Sequence, residues 1–333
     1  MKICMLGDIT GNIDEGMKSI TYNLSKRLRR RHNVLVLNPL DFTSPKFWKV
    51  LKEFHPDIVH YIPGPSFKSF ALMKLISYFL KYSTFVMSSP FPQLSKFSMR
   101  IIPKMKPDMM IVQSKKHLDI FRKLGFNVHL VPLCGVDTEK FTPVKNDRKK
   151  KLRAKYGFDE NTFLVLHVGH IKSGRNILSL KSLEGKDNTH LIIVGSTSTG
   201  IEKNIYKELK RAGCTVITEY IPNLEEIYQL SDCYVFPVTS RTSSIVIPLS
   251  VLEAMSCNLP VITTKFGALT EYFPEVPGVY YIEHTDEIQR RLAELKSTNL
   301  QIMTREYVLQ YDWDKIVKKL EEIYICAIKS KKE

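Results

Sequence analysis

Short apolar strands alternate with amphipathic helices along nearly the whole chain, and the alternation is interrupted once. The stretch "KICMLGD" is a strand closed by a glycine. "EGMKSITYNLSKRLRRRH" follows, with helical spacing at Ile20, Leu24 and Leu28 and basic residues gathered toward its end, where they suit the helix dipole. "NVLVLNP", "PDIVHYI", "STFVMSS", "PDMMIVQS" and "VHLVPL" read as further strands, with helical stretches such as "KFWKVLKEFH" between them. Strands joined by helices instead of hairpins must run parallel, with crossover connections. The polar, basic stretch "PVKNDRKKKLRAKYGFDEN" breaks the rhythm and reads as a linker plus the first helix of a second domain. Alternation then resumes with "TFLVLHVG", "THLIIVG", "TVIT", "DCYVFP" and "PVITT". The expectation is an α/β chain of two Rossmann-like domains, residues 1–145 and 146–310, with parallel sheets facing a central cleft. Residues 311–333 place Trp313, Ile316, Val317, Leu320, Ile323, Tyr324 and Ala327 on one stripe of an amphipathic helix, followed by a basic tail read as solvated.

Composition narrows the chemistry. The chain of 333 residues is long enough for two cores, and its formal net charge of +15 favours an anionic partner: nucleic acid, a phosphorylated small molecule or an acidic membrane face. Nucleic acid is disfavoured, because no recognised module or aromatic-rich basic stripe is present. The six cysteines lie far apart with no Cys-x-x-Cys pair, which suits a reducing compartment and gives no zinc or disulfide framework. No signal peptide precedes the first strand, and no apolar run reaches the roughly 18 residues of a spanning helix. The longest, "FALMKLISYFL", is interrupted by Lys74. The expectation is a cytoplasmic protein.

Three stretches carry chemistry. In "HVGHIKSGRNIL" a strand ends at Gly169, a polar loop offers His170, Lys172 and Arg175, and a helix is expected from near Asn176. Close backbone approach at glycine, loop cations and a helix N-terminus suit a diphosphate, although strand, polar loop and helix also describe any α/β connection. In "SSIVIPLSVLEAM" a single acid, Glu253, interrupts an apolar helix expected to begin near Pro248, with free amides at Leu249 and Ser250. A carboxylate repels phosphate but accepts hydrogen bonds from a vicinal diol such as ribose, so Glu253 is expected to stand solvated until a nucleotide arrives. The competing reading is a salt bridge on the helix face. In "VPLCGVDTEKFTP", Asp137 reads as a turn cap.

"VPLCGVDTEKFTP", "VGHIKSGRNIL", "YQLSDCYVFP" and "PLSVLEAMSCNLPVITTKFGALTE" together resemble the retaining glycosyltransferase family 4 (glycosyl transferases group 1) over nearly the whole chain. The resemblance implies the two-domain GT-B fold, a C-terminal helix that crosses back to the first domain, and a UDP- or GDP-sugar donor used without a metal or other cofactor. It implies transfer of a hexose to a glycan or lipid-linked acceptor with retained configuration, and the runs "KRLRRR", "KSKKH" and "FRK", which make the acceptor domain basic, add the expectation of an anionic membrane surface. Carried over by position, Arg175 and Glu253 are the catalytic candidates. Gly16, Gly169, His170, Arg175, Leu249, Ser250 and Glu253 are the donor-binding ones. Where the family has Arg followed by Lys five positions on, this chain has His170 and Arg175; where it has the first of two glutamates, this chain has Ile245. Pro248 replaces a glycine, and Ser88 and Ser89 stand where a histidine is usual. These departures gather at the sugar end. They imply either an unusual donor sugar or a non-catalytic relative that binds a nucleotide or glycan.

Overall fold

A computed structural model describes residues 1–298 and 300–332. The chain forms two compact units: residues 1–135 with 245–247 and the helix from Trp313, and residues 136–244 with 248–312. Each is built on a parallel six-stranded sheet.

In the first unit, β1 (Lys2–Leu6), β2 (Asn33–Leu37), β3 (Ile58–Tyr61), β4 (Thr84–Ser89), β5 (Met109–Val112) and β6 (Val128–Leu130) stand in the order β2-β1-β3-β4-β5-β6. Strands β3, β4 and β5 are buried along their whole length, so β5 reads as a continuous apolar run, and the polar His60, Ser88 and Ser89 of β3 and β4 are buried with them. The helices are α1 (Gly16–Leu28), α2 (Pro45–Phe54), α3 (Phe67–Phe79), α4 (Lys96–Ile101) and α5 (Lys115–Lys123). Helix α2 opens on a Ser44 cap with proline in its first turn and closes on His55 at φ 47°, so local chemistry sets both ends.

The second unit contains α6 (Asn146–Lys155), β7 (Phe163–Val168), β8 (Thr189–Val194), α7 (Lys203–Arg211), β9 (Thr215–Ile217), α8 (Leu224–Leu230) and β10 (Cys233–Phe236). It continues with α9 (Leu249–Ser256), β11 (Val261–Thr264), α10 (Leu269–Tyr272), β12 (Val279–Ile282), α11 (Glu287–Ser297) and α12 (Thr304–Val308). Its strand order is β12-β11-β10-β7-β8-β9. The first unit ends at Gly135, ahead of the boundary expected at residue 145. The intervening residues are held by the second unit: the Phe141 ring meets Tyr228 edge-on at 5.5 Å, and the Phe141 carbonyl accepts from Ser256. The polar stretch after it holds α6, the helix expected to open the second domain. Arg153 of α6 is buried, donating to the Leu230 and Thr162 carbonyls at 3.0 Å and pairing with Asp232.

The C-terminal α13 (Trp313–Lys332) belongs to the first unit, as the resemblance implied. The whole expected stripe is buried, from Trp313 to Ala327. Tyr324 at its centre shares a 2.6 Å hydrogen bond with Nδ1 of the buried His60, whose Nε2 lies 2.6 Å from the Ser88 hydroxyl. The basic tail is exposed from Lys329 to Lys331, as read, and Lys331 Nζ also lies 2.8 Å from Asp108. The run after α1 is engaged as well. Arg27 and Arg30 pair with Asp314 at 3.1 and 3.0 Å, and Arg31 with Glu321 at 3.0 Å.

Candidate functional site

Strand β7 hands the chain to Gly169, whose amide donates to the Val194 carbonyl at 2.9 Å and so continues the sheet edge. No α-helix follows at Asn176, contrary to the sequence reading. Two 3-10 segments, Ser173–Arg175 and Ile177–Leu183, flank Asn176, which sits at φ 55°. Asparagine tolerates that left-handed conformation, and the break it makes removes the helix N-terminus expected behind the loop. The turn is pressed against the loop that leaves β10: a Cβ on Gly174 would fall 2.1 Å from the Ser243 hydroxyl, and Asn176 Nδ2 donates to the Pro237 carbonyl at 3.3 Å. Two strand-end loops are thereby locked together.

Arg175 is buried, 7% exposed, with its guanidinium over the Phe236 ring at 5.9 Å. Its Nη1 lies 2.9 Å from where a Cβ on Gly169 would stand. Any side chain at 169 would displace the guanidinium, so the glycine is needed for the room it leaves. Beside the same point is His167, fully buried and stacked with Tyr234 and Phe236 at 6.3 and 6.2 Å. Its Nδ1 lies 2.9 Å from the Val235 carbonyl, which can only accept, so Nδ1 carries the proton and Nε2 presents a bare lone pair. That Nε2 is buried without a hydrogen-bond partner. Burial, with Arg175 and His170 nearby, pushes the His167 pKa down to about 3, so it stays neutral. His170 itself is held by the Thr199 hydroxyl. It adjoins a pocket of about 490 Å³ whose walls include Ser196, Thr199, Gly200, Lys203, Tyr206 and Thr218.

Helix α9 starts at Leu249, with Pro248 as an extended N-cap and no side-chain cap. The amides of Leu249 and Ser250 have no intrahelical acceptor in this geometry. The Ser250 hydroxyl accepts from Tyr234 at 2.7 Å. Glu253 is half-buried, where the sequence reading had it solvated, and among the described residues it makes no salt bridge. Its carboxylate accepts from the hydroxyl of Tyr228, a fully buried residue of α8, at 2.7 Å. Burial pushes its pKa up to about 7, with the Tyr228 hydrogen bond and the more distant Lys140 charge opposing that rise. Tyr234 is within electrostatic reach of both Arg175 and Glu253. Tyr234, which sequence reasoning passed over, thus links the two stretches, its hydroxyl lying 2.7 Å from Ser250 and 3.3 Å from the Val168 carbonyl next to Gly169. The one signal for it was a hydroxyl-bearing ring in the otherwise apolar "CYVF".

Gly16 lies in the first unit, at the start of α1, where a Cβ would come within 3.2 Å of Ile245 Cδ1. The amides of Met17 and Lys18 are already taken by the Glu15 carboxylate at 3.1 Å. An anion at that helix start has to displace a carboxylate first. Asp137 caps its turn as expected, accepting from the Lys140 amide at 3.0 Å. Among the described residues no group of three or more His, Cys, Asp or Glu side chains is placed to hold a metal ion, and no helix is long and apolar enough to cross a membrane.

Residues 148–311 match the family model of the glycosyl transferases group 1. Sulfoquinovosyl transferase SQD2 of Arabidopsis thaliana is 26% identical over 317 residues, covering 86% of this chain and 60% of that protein. D-inositol 3-phosphate glycosyltransferase of Pseudarthrobacter chlorophenolicus is 30% identical over 148 residues, 41% of this chain and 34% of that protein. The chain therefore spans less than two thirds of the length of these curated relatives. Among solved structures, sucrose-phosphate synthase of Thermosynechococcus elongatus shares the fold with a TM-score of 0.77 at 17% identity, covering 98% of both chains. Anabaena Alr3699/HepE in complex with UDP-glucose does so at 0.75 and 18%, covering 98% of this chain and 100% of the other. The fold is the two-domain α/β arrangement of GT-B glycosyltransferases.

Proposed function

We propose, taking residues 148–311 as a glycosyl transferases group 1 domain, that the chain moves a sugar from a nucleotide-sugar to an acceptor. The donor is a UDP- or GDP-hexose, the acceptor a glycan or lipid-linked glycan, and the configuration is retained. The reaction runs without a metal, on the cytoplasmic side of an anionic membrane surface. The observation that carries this reading is a buried cation, Arg175, held against the Gly169 turn, together with a half-buried carboxylate, Glu253, on the first turns of α9. A cation in a dry site stabilises charge that develops on a departing diphosphate, and preorganised donors do so without reorganising. Arg175 grips phosphate oxygens, with the Leu249 and Ser250 amides and His170 as further donors. Glu253 accepts from the ribose diol. The pocket beside His170, lined by hydroxyls and Lys203, is the place for the nucleoside end. A protein of the same fold was crystallised with UDP-glucose, which supports that donor class. Ile245, against which Gly16 packs, favours a second reading: a chain that binds the nucleotide and does not transfer.

Thermal shift with UDP, GDP and their sugars, followed by donor consumption with and without acceptor glycans, separates the two. Stabilisation by a nucleotide is expected, because a ligand bound only to the folded state raises its stability. Binding without consumption establishes the second reading. Stabilisation by none of them refutes both.

A further inference from the structure

The run "FALMKLISYFL" forms most of α3, and this helix is apolar on both sides. Its inner residues Phe70, Met73 and Ile76 are buried in the core of the first unit. Its outer side leaves Leu75, Tyr78 and Phe79 exposed, and Tyr82 just beyond stands fully in solvent. A helix apolar all round is ordinarily buried all round. The patch extends past the helix. The Phe79 ring lies 5.1 Å from Trp48 of α2, and the Trp48 indole donates to the Phe42 carbonyl at 2.7 Å. That contact brings in the 3-10 turn Pro39–Thr43, with Phe42 exposed and Leu40 81% exposed. Exposed apolar surface of this extent marks an interaction site.

The charge around the patch is one-sided. Lys52 Nζ sits over the Phe79 ring at 4.6 Å and Lys74 Nζ over Tyr78 at 5.3 Å, with Lys46, Lys68 and Lys81 also on these segments. The acids there are Asp41 and Glu53, and Glu53 is paired with Lys49 at 3.9 Å. Ammonium groups seated over exposed aromatic rings put positive charge directly beside apolar surface, the pairing that suits a boundary between an apolar layer and acidic headgroups.

We propose that this face docks on an anionic lipid bilayer, with Leu40, Phe42, Leu75, Tyr78, Phe79 and Tyr82 entering the interface and the lysines meeting acidic headgroups. Aromatic and aliphatic side chains supply burial at the headgroup boundary, and each basic residue adds attraction that salt screens. A second copy of the chain is disfavoured as occupant, because it brings the same positive rim. Of the three basic runs expected from sequence to favour a membrane, the one ending α1 is engaged with α13. The inference rests on the peripheral-membrane part of the proposed function and not on the transfer reaction.

The test is sedimentation with vesicles of phosphatidylcholine, with and without phosphatidylglycerol, at low and high salt. It is run on the full chain and on the combined variant Leu40→Ser, Leu75→Ser, Tyr82→Ser, which keeps every charge. The wild type is expected to pellet with the acidic vesicles alone and to be released by salt. The variant is expected to melt normally and to bind at least roughly tenfold more weakly. Unchanged binding by the variant, or equal binding to neutral vesicles, overturns the proposal. Absence of vesicle binding, together with a dimer that the variant abolishes, also overturns it and assigns the face to a second copy. No donor or acceptor enters this assay, so its failure leaves the transfer reading standing.

Discussion

Glu253→Gln is the most informative single substitution. The carboxyl ionises near 4.5 in an unfolded chain and near 7 in the folded one, because burial disfavours its charge. Between those values the folded state holds a proton that the unfolded state has lost. The stabilisation tied to that proton is complete below about 4.5 and is gone once the pH has risen through about 7. The shift corresponds to about 3 kcal/mol at most. Glutamine cannot ionise, so its own contribution is flat with pH. It keeps an oxygen for the Tyr228 hydroxyl and adds an amide whose burial penalty is the same at every pH. Chemical denaturation of wild type and variant at pH 4.5 and pH 8 isolates the effect, because other titrating groups cancel in the comparison. The variant should gain on the wild type by up to about 3 kcal/mol between the two pH values. A difference that is the same at both refutes the buried-carboxylate reasoning. Ligand binding gives an independent check. A ribose diol favours the ionised carboxylate, so nucleotide binding near pH 7 should release a proton, and the calorimetric enthalpy should vary with the buffer. The variant should lose that release and bind roughly ten- to a hundredfold more weakly.

Arg175→Ala should weaken nucleotide-diphosphate binding more than His170→Ala, since a guanidinium stays charged and grips two oxygens whereas neutral imidazole offers one donor; equal losses in calorimetry at pH 8 would contradict this. Gly169→Ala should also impair nucleotide binding, through eviction of the guanidinium that lies 2.9 Å from the new methyl. A crystal structure of that variant with Arg175 undisturbed would remove the argument. Tyr324→Phe strips the partner from Nδ1 of the fully buried His60. It should destabilise the first unit by about 1–3 kcal/mol in urea, and a neutral substitution would mean that His60 finds another partner.

Periodicity in the sequence was sufficient for the alternating strands and helices, the parallel sheets and the buried stripe of α13, because those patterns report locally which side of an element faces a core. The blocks around Gly169 and Glu253 also stood out as a candidate site, since glycine, loop cations and a lone acid contrast with apolar neighbours. What packs against each of them was not. Tyr228 reaches Glu253 from a different helix, and Tyr234 reaches Ser250 from a neighbouring strand. Asn176 interrupts the helix expected behind the Arg175 loop, a consequence of its left-handed backbone and its tie to Pro237. The arginines after α1 look like a free basic surface until α13 returns with Asp314 and Glu321. The second apolar side of α3 shows the reverse: an 11-residue run that falls short of a membrane span is, in the fold, half core and half exposed face. Local pattern determines where the backbone bends and which residues prefer to be dry. Which polar atom meets which, and which apolar face finds no cover, depends on the packing of elements far apart in the chain, and that is decided by the tertiary structure alone.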